Sequence, residues 1–534
     1  MTAVENINGF VRTVQVEEPR LGNNTADVER VQAALVHSLK ESDTSRKDSL
    51  VYFPPHLVPN LARKLRQWGH RIKVVLFKDS RGWRVTAVIN PENTLPVCGV
   101  AADLGTTRVV LRLVNLATGE NLGELGFDNP QIALGPDVLA RIHHARNPEG
   151  LARLQALIID GMNRHIKELV SAAGLGVESV YLFAGAGNTA MTHLFLGIEP
   201  SFIIREPYIP GVNAPESMAA TFVGIDINPH GMVFLFPNIG SYFGGDLIAG
   251  ILFSGLHKKE NPCLMVDVGT NAEVVVGGRD WLMACAGAAG PALEGGISDM
   301  GMTAGPGVID RVIIDPDTMA MEFGTIDDKP PVGICGSGMI DLAAQLFLSG
   351  MVDIRGKFAP ERCGDRLFEK DDIQHLCLVS REDSGTGRDI LFSQVDLNSL
   401  TSAKAAMHSI LEVIVQQTAG LSFEDLETFY VAGTFGSFIN PRSAISIGML
   451  PDMPLEKFKV LGNSSLGGAA RLLVDPGSFE EIRTIARSIT YIELNVNQSF
   501  MNTFSGAKFY PHTDRSRFPS VKIYGLRDSA IFRA

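Results

Sequence analysis

The first hundred residues show two kinds of hydrophobic spacing. At 10–16, apolar and polar residues alternate, which predicts a β-strand. A loop follows and ends in a helix cap at Thr25. Beyond the cap, helical spacing relates four apolar residues, Val28, Val31, Leu35 and Leu39. A second helix is expected at 56–68, so this segment mixes helices and strands.

Two further strands are predicted beyond the second helix, at 72–77 and 83–89. The turn between them ends at Gly82, which can take a positive φ. We therefore expect a linker strand over residues 1–20 and a small α/β domain over residues 21–97.

From residue 98 onward, apolar strands are separated by glycine-rich turns, and two signals each occur twice. An apolar strand runs into Asp-x-Gly-Thr at 103–106 and again at 267–270, and a second strand follows each time. A strand that ends in a Gly-rich turn occurs at 181–189 and again at 429–437. Because the order is the same in both halves, the sequence predicts a duplicated α/β unit.

The duplication sets the expected domain limits. We predict a first lobe over residues 98–257, a second over 258–490 and a C-terminal segment over 491–534. The second copy is longer, and its excess lies between about 299 and 395. Within the excess, the run Gly336-Ser337-Gly338 opens an apolar helix.

Charge and hydropathy exclude several classes of protein. The 534 residues include 47 Lys and Arg against 59 Asp and Glu, a net charge of −12, so nucleic acid is not an expected partner. Apolar stretches end well short of the ~18 residues that a membrane span needs. The N-terminus lacks the pattern of a signal peptide. We therefore expect a cytoplasmic protein without a membrane partner.

The cysteines do not form a recognisable metal or cluster motif. None of the six lies within four residues of another: Cys98, Cys263, Cys285, Cys335, Cys363 and Cys377. Without a secretion signal, a disulfide framework is not expected either. We interpret most of these residues as small buried hydrophobic side chains.

The two Asp-x-Gly-Thr hairpins point to phosphate binding. Glycine at a turn lets backbone N–H groups approach a phosphate closely, and a Thr hydroxyl or Asn amide adds donors. An aspartate at a strand end can hold Mg²⁺ through water. One such turn is common, but two of them, with the later Gly-rich turn at 432–437, predict a nucleotide site without a P-loop.

This three-part pattern resembles the two phosphate motifs and the adenosine motif of the acetate and sugar kinase, Hsp70 and actin superfamily. The resemblance implies an α/β fold of two RNase H-like lobes, with ATP and Mg²⁺ in the cleft. It gives the first phosphate loop Asp103, Gly105, Thr106 and Thr107, the second Asp267, Gly269, Thr270 and Asn271, and the adenosine contact Gly433, Thr434, Gly436 and Ser437. Asp103 and Asp267 are the implied metal-binding carboxylates.

Further motifs are similar to those of the reductive activators of corrinoid-dependent enzymes. They lie at 187–194, 239–246, 285–295, 334–338 and 433–450. The N-terminal segment also resembles the linker and middle domain of that family. The resemblance implies an ATPase that helps to return a Co(II) corrinoid to Co(I). Since this chain has no corrinoid-binding motif, the corrinoid would belong to a partner protein.

The chain departs from the usual family pattern in its cysteines. Members commonly carry an N-terminal [2Fe-2S] domain, whereas no cysteine precedes Cys98 here, so we expect no intrachain iron–sulfur cluster. A separate ferredoxin-like donor would then supply the electron. For a cluster that bridges two subunits, Cys285 and Cys335 are the candidates. Family resemblance also suggests a homodimer.

For each of three residues, the sequence leaves two interpretations open. Asp246 follows two glycines and either positions Mg²⁺ or the attacking water, as a catalytic residue, or caps the helix that follows. Ser337, next to Gly336, either contacts the nucleotide or caps its helix. Glu294 either orients water or metal, or fixes a loop.

Two other features are expected to be unremarkable surface. His143 and His144 lie in a polar helical stretch, and we interpret them as solvated. The basic tail at 511–534 could dock an acidic partner, but we favour a loosely packed terminus.

Three functions fit this sequence, and they differ in what the nucleotide does. We favour ATP-dependent activation of a corrinoid protein. A small-molecule kinase of the same superfamily would phosphorylate an acceptor without any protein partner. A nucleotide-switched binding protein would form a complex with a corrinoid protein without reducing cobalt.

Overall fold

A computed structural model of the chain describes residues 9–42, 50–269, 272–287, 300–433, 439–494 and 498–522. The chain forms two compact units. The first comprises Met1–Gly255 and Ser464–Ser488, and the second comprises Leu256–Asn463 and Ile489–Ala534. No helix among the described residues is long and apolar enough to cross a membrane.

The strands are β1 (Val11–Gln15), β2 (Val51–Tyr52), β3 (Arg71–Asp79), β4 (Gly82–Ile89), β5 (Cys98–Asp103), β6 (Arg108–Asn115), β7 (Asn121–Asp128), β8 (Val180–Ala186), β9 (Met218–Ala219), β10 (Met232–Leu235), β11 (Cys263–Val268), β12 (Ala272–Gly277), β13 (Leu282–Gly287), β14 (Val308–Ile314), β15 (Met321–Thr325), β16 (Gly333–Ile334), β17 (Leu367–Lys370), β18 (Ile373–Val379), β19 (Ile390–Ser393), β20 (Thr428–Ala432), β21 (Phe458–Gly462) and β22 (Ile489–Tyr491).

The α-helices are α1 (Asp27–Ser42), α2 (Leu61–Gln67), α3 (Val138–His144), α4 (Pro148–Ala172), α5 (Thr189–Leu196), α6 (Ala220–Val223), α7 (Gly245–Ser254), α8 (Gly336–Leu348), α9 (Pro360–Cys363), α10 (Gln394–Glu412), α11 (Pro441–Ser446), α12 (Ser464–Val474), α13 (Ser478–Ser488) and α14 (Gln498–Ala507).

The N-terminal part of the first unit is a small sheet in the order β1-β3-β4-β2, with α1 and α2. The strands and helices expected between residues 10 and 89 are therefore confirmed. The two-residue strand β2 was not predicted, because so short a segment has no periodicity to detect. Gly82 has φ +126°, and a Cβ there would lie 2.8 Å from the Leu50 carbonyl oxygen, so this turn requires glycine.

The larger sheet of the first unit has the order β7-β6-β5-β8-β10-β9. Its central strands β5 and β8 are parallel and apolar on both faces, as in a sheet that is covered on both sides. Helix α4 contributes Ile158, Met162 and Ile166 to the buried core of this sheet. Helix α12 packs close to α7, where a Cβ on Gly468 would overlap the backbone of Ala249.

Helices α12 and α13 thus belong to the first unit, although the sequence places 464–490 in a second lobe over 258–490. The difference arises because the predicted lobes were contiguous in sequence, whereas the chain leaves the second unit after Asn463 and returns to it at Ile489. The other domain limits stay predictions.

The main sheet of the second unit has the order β21-β20-β11-β12-β13-β22. Its first five strands repeat the pairing of β10-β8-β5-β6-β7 in the first unit, whereas the sixth strand, β22, lies at the opposite edge from β9. The expected excess in this copy is present: strands β14 to β19 form two three-stranded sheets between Val308 and Ser393. One large core joins these additions to the main sheet, with α8 and α10 supplying many of its apolar side chains.

The prediction of a loosely packed C-terminal tail is wrong for residues 511–522. Tyr510 is fully buried, Phe518 is 3% exposed, and Arg517 forms an ion pair with Glu412 of α10 at 2.9 Å. Aromatic side chains in this segment bury enough apolar surface to hold it against α10, which terminal position alone does not reveal. At the other surface feature, His143 is exposed as expected, whereas His144 is only partly exposed.

Candidate functional site

The first Asp-x-Gly-Thr hairpin ends β5 and begins β6. Asp103 pairs with Val110 in β6 and with Ala186 at the end of the parallel strand β8. The turn has no room for a side chain at Gly105, where a Cβ would overlap the Arg108 carbonyl oxygen. Glycine therefore lets the two backbone strands close tightly behind the aspartate.

Asn129 stabilises the same turn through two hydrogen bonds. Its side-chain Nδ2 donates to the Gly105 carbonyl at 2.9 Å, and its backbone N–H donates to the Thr107 carbonyl at 2.8 Å. Asn129 is buried, so these bonds are shielded from competing water. This residue was not predicted, because it lies more than twenty positions from the turn that it holds.

The Gly-rich turn after β8 adds an amide to the same place. Asn188 donates from Nδ2 to the Thr106 hydroxyl at 3.0 Å, while its Oδ1 accepts the Met191 N–H at 2.9 Å and caps α5. A Cβ on Gly187 would lie 2.7 Å from the Leu104 side chain, so this glycine lets the two loops touch. The motif that carries the family resemblance at 187–194 thus has a direct structural role.

Asp246 lies in the first turn of α7, beside these loops. The helix is capped by Gly244, and Asp246 is its second residue, so the interpretation of Asp246 as the helix cap is wrong. The N–H of Gly245 donates to the Gly187 carbonyl at 2.9 Å, which ties the helix start to the turn after β8. Burial of the carboxylate, and the like charge of Asp103, raise the pKa of Asp246 to about 7.

The carboxylate of Asp103 also accepts a hydrogen bond from the Ser465 hydroxyl at 3.0 Å. Ser465 is the second residue of helix α12 and is almost fully buried. No local pattern could have identified it, because 362 positions separate the two residues. Asp103 and Asp246 are neighbouring carboxylates, and such a pair suits Mg²⁺.

In the second hairpin, which lies in the other unit, the aspartate has strand partners equivalent to those of Asp103. Asp267 pairs with Glu273 in β12 and with Ala432 at the end of the parallel strand β20. Next in the chain, Gly433 has φ +87°, and a Cβ there would lie 2.7 Å from Asp267 Oδ1. The turn predicted to meet adenosine therefore begins in contact with the second predicted phosphate hairpin.

Several predicted site residues lie outside the described residues: Thr270, Asn271, Glu294, Thr434, Gly436 and Ser437. Gly269, which precedes the first of them, is exposed. The structure therefore unites Asp103, Thr106 and Asp246 in the first unit, and Asp267 with Gly433 in the second.

Ser337 is the second residue of α8, which begins at Gly336 as expected. The helix cap is Cys335 and Ser337 is buried, so the capping interpretation of Ser337 is wrong. Its hydroxyl lies 3.2 Å from the Cys335 sulfur. A nucleotide contact by Gly336 and Ser337 stays a prediction.

The cysteines fit the interpretation as small hydrophobic residues. Cys377 is partly buried and the other five are buried. Burial raises the pKa of the Cys98 and Cys363 thiols to about 11, so neither is a reactive thiolate near neutral pH. Cys285 and Cys335 lie in the interior, at 0% and 2% exposure, and a cluster that bridges two subunits through them stays a prediction.

Comparison with known proteins decides the family. Three family models match in chain order: the RACo linker region at 10–96, the RACo middle region at 98–259, and the C-terminal domain of RACo, the ASKHA domain, at 261–522. The chain belongs to the RACo family of reductive activators of corrinoid proteins. The predicted family and its α/β actin-like ATPase fold are thereby confirmed.

Individual RACo-type relatives cover most of the chain. "Corrinoid activation enzyme RamQ" of Eubacterium limosum is 31% identical over 424 residues, 77% of this chain and 70% of the relative. A "[Co(II) methylated amine-specific corrinoid protein] reductase" of Methanosarcina barkeri is 25% identical over 445 residues, 76% of each chain. A solved "Reductive activator for corrinoid,iron-sulfur protein" matches with a TM-score of 0.84 and 35% identity, over 98% of this chain and 82% of that one.

Proposed function

We propose that this chain returns the cobalt of a partner corrinoid protein from Co(II) to Co(I), and that it binds and hydrolyses ATP to do so. The names of its relatives support the reaction and the partner. The pairing of Asp103 with Asp246 beside a side-chain-free glycine turn carries the nucleotide part. Such a turn suits a phosphate, and such a carboxylate pair suits Mg²⁺.

Each residue of the first unit has a task in this proposal. Asp103, oriented by Ser465, would hold Mg²⁺, and Thr106, oriented by Asn188, would donate to a phosphate oxygen. Asp246, with a pKa of about 7, can take up a proton from an attacking water at neutral pH. Bound MgATP supplies a phosphoanhydride bond whose hydrolysis releases free energy.

ATP is needed because reduction of Co(II) is uphill from ordinary cellular donors. Coupling requires that the nucleotide state of the activator alters its affinity for the Co(II) and Co(I) forms differently. In the balanced step, a low-potential donor loses one electron, cobalt gains that electron, and ATP with water becomes ADP and phosphate. In this proposal, the electron comes from a separate ferredoxin-like protein.

The test is an anaerobic visible spectrum of a Co(II) corrinoid protein from the same organism, with a low-potential chemical reductant. The expected result is a Co(I) spectrum only when both ATP and this chain are present. The matched control replaces ATP by ADP, and a second control uses the Asp103→Ala variant. Both controls should leave the cobalt as Co(II).

The same samples distinguish the alternatives. Phosphate release is measured alongside the spectrum, with and without the corrinoid protein. ATP consumption without phosphate release, and with a phosphorylated small molecule, would identify a kinase. Nucleotide-dependent complex formation with unchanged Co(II) would identify a binding switch and contradict the proposal.

A further inference from the structure

A second cluster of chemically active side chains lies in the second unit, away from both hairpins in the chain. His408 and Glu412 lie one turn apart on α10, and His512 comes from the C-terminal segment. One ligand atom from each lies within 4.8 Å of those of the other two. All three residues are buried, which is unusual for a group of this polarity.

The surroundings of His408 indicate that protein groups alone do not satisfy the hydrogen-bonding atoms of this cluster. Its ring is 2% exposed, and neither ring nitrogen has a hydrogen-bond partner within the part of the chain that the structure describes. A buried polar atom without a partner costs free energy, so such atoms in a folded chain point to a ligand or water. The ring faces Glu412 and His512.

The distances suit a small metal ion. His408 Nε2 and Glu412 Oε2 are 3.6 Å apart, which is too long for a hydrogen bond. Ligand atoms around tetrahedral zinc are about 3.3 Å apart, as Zn–N and Zn–O distances near 2.1 Å require. A contraction of a few tenths of an ångström would therefore bring this pair to metal-binding separation.

We propose that His408, Glu412 and His512 bind one divalent transition-metal ion of the zinc type. Two imidazoles and one carboxylate are a donor set that zinc accepts and that Mg²⁺ disfavours. The ion would join α10 to a segment about a hundred residues later in the chain, and so hold the C-terminal segment in place. This proposal does not depend on the ATPase activity.

Two neighbours, Arg517 and Lys404, and one hydrogen bond of His512 oppose the ion. Arg517 already donates to Glu412 Oε2 at 2.9 Å, so a metal must displace that guanidinium or use the other carboxylate oxygen. The Arg517 side chain is 39% exposed and can turn into solvent. Lys404, on the same face of α10, holds its ammonium group on the Phe509 and Pro511 carbonyls.

The third opposing contact is made by His512 itself. Its Nδ1 accepts the Asp514 N–H at 2.9 Å, which places the ring proton on Nε2 in the metal-free chain. Metal binding through Nε2 therefore requires the ring proton to move from Nε2 to Nδ1, and this gives up the Asp514 hydrogen bond. The expected affinity is accordingly lower than for a preformed three-ligand site.

The test uses the full-length, tag-free chain after chelator treatment. Zn²⁺ affinity is measured by competition with a chromophoric chelator, and bound Co²⁺ is read from its visible spectrum. We expect one equivalent of each ion, no thiolate charge-transfer band, and a Zn²⁺-dependent rise in melting temperature. His408→Ala and Glu412→Gln should weaken binding at least about tenfold, and exposed His143→Ala should leave it unchanged.

Arg517→Ala should raise the Zn²⁺ affinity instead of lowering it. This variant also tests the proposal if the ligand variants fail to fold. It removes a competing cation and leaves the buried Glu412 charge without its partner, so Zn²⁺ should bind more tightly and stabilise more. The proposal is overturned if neither the parent chain nor Arg517→Ala takes up a stoichiometric ion. It is equally overturned if binding survives in both ligand variants, or if the Co²⁺ spectrum shows thiolate ligation.

Discussion

The two Asp-x-Gly-Thr hairpins have the same backbone frame but different surroundings. Asp103 lies beside the last residue of β8, and Asp267 lies beside the last residue of β20; both neighbours are alanines. Around Asp103, the side chains of Ser465 and Asp246 set the environment. Next to Asp267 lies the backbone of Gly433, which has a positive φ.

We infer from this difference that the two hairpins have different tasks. A carboxylate with a pKa near neutrality, beside a second carboxylate, suits proton transfer and metal binding. A glycine without a side chain suits close approach of a ligand to the backbone. We therefore expect substitutions in the first unit to affect turnover most, and substitutions at Gly433 to affect nucleotide affinity most.

The largest effect is expected from the aspartates themselves. Asp103→Ala should lower ATP turnover about 100-fold or more, because it removes a metal-binding carboxylate. Asp267→Ala should lower MgATP affinity about 10- to 100-fold. Steady-state phosphate release and equilibrium nucleotide binding measure the two effects. If both variants bind and hydrolyse ATP normally, the site assignment is wrong.

Gly433→Ala should have the next largest effect. The added Cβ would lie 2.6 Å from the Val268 carbonyl oxygen and 2.7 Å from Asp267 Oδ1, at a positive φ. We expect a loss of about 2–4 kcal/mol in stability and at least about tenfold in nucleotide affinity.

Gly174→Ala is the matched control for this variant. Gly174 also has a positive φ, +71°, but nothing lies within 4 Å of the added Cβ. It should cost only about 1 kcal/mol of backbone strain and leave nucleotide binding unchanged. Equal losses of nucleotide affinity in the two glycine variants would contradict a role of Gly433 in binding the nucleotide.

Ser465→Ala tests the side-chain brace of the first unit. Removing the hydroxyl that donates to Asp103 should lower turnover about five- to tenfold, with little change in nucleotide affinity. In a double-mutant cycle, Asp103→Asn should remove most of the effect of Ser465→Ala. Additive losses would mean that Ser465 acts elsewhere than through Asp103.

A change of stability with pH is the effect expected at Asp246. Its native pKa of about 7 lies above the usual value near 3.9, so wild-type stability falls as pH rises from about 4 to about 7. Asp246→Asn lacks this penalty. The melting temperature of the variant relative to wild type should therefore be higher at pH 8 than at pH 5, although turnover is lost. A pH-independent difference would show that Asp246 is not desolvated.

The hairpins could be predicted from sequence because their determinants are local. Apolar strands on each side of Asp-x-Gly-Thr, and a glycine where no Cβ fits, lie within a few residues of one another. Asp246 was found for the same reason, although its capping alternative failed because Gly244 supplies the cap. Local sequence thus identified the groups that carry charge.

The residues that position those groups could not be predicted. Ser465 and Asn129 reach the first hairpin only through tertiary packing, and neither lies in a recognisable motif. The metal-binding cluster has the same character, since His512 meets His408 across about a hundred residues. Spacing along a chain carries no information about such contacts until the fold is known.

The return of α12 to the first unit has a consequence for how the chain is made. A nascent chain that has passed Gly255 contains the strands of the first unit but not α12, whose Leu473 packs against Gly99 of β5. That apolar face stays uncovered until some two hundred further residues have left the ribosome, and during this interval it is open to aggregation and to chaperones. The hydroxyl that orients Asp103 arrives with the same helix. Translation therefore supplies the hydrogen-bond donor of Asp103 only after Leu256–Asn463 of the second unit has been synthesised.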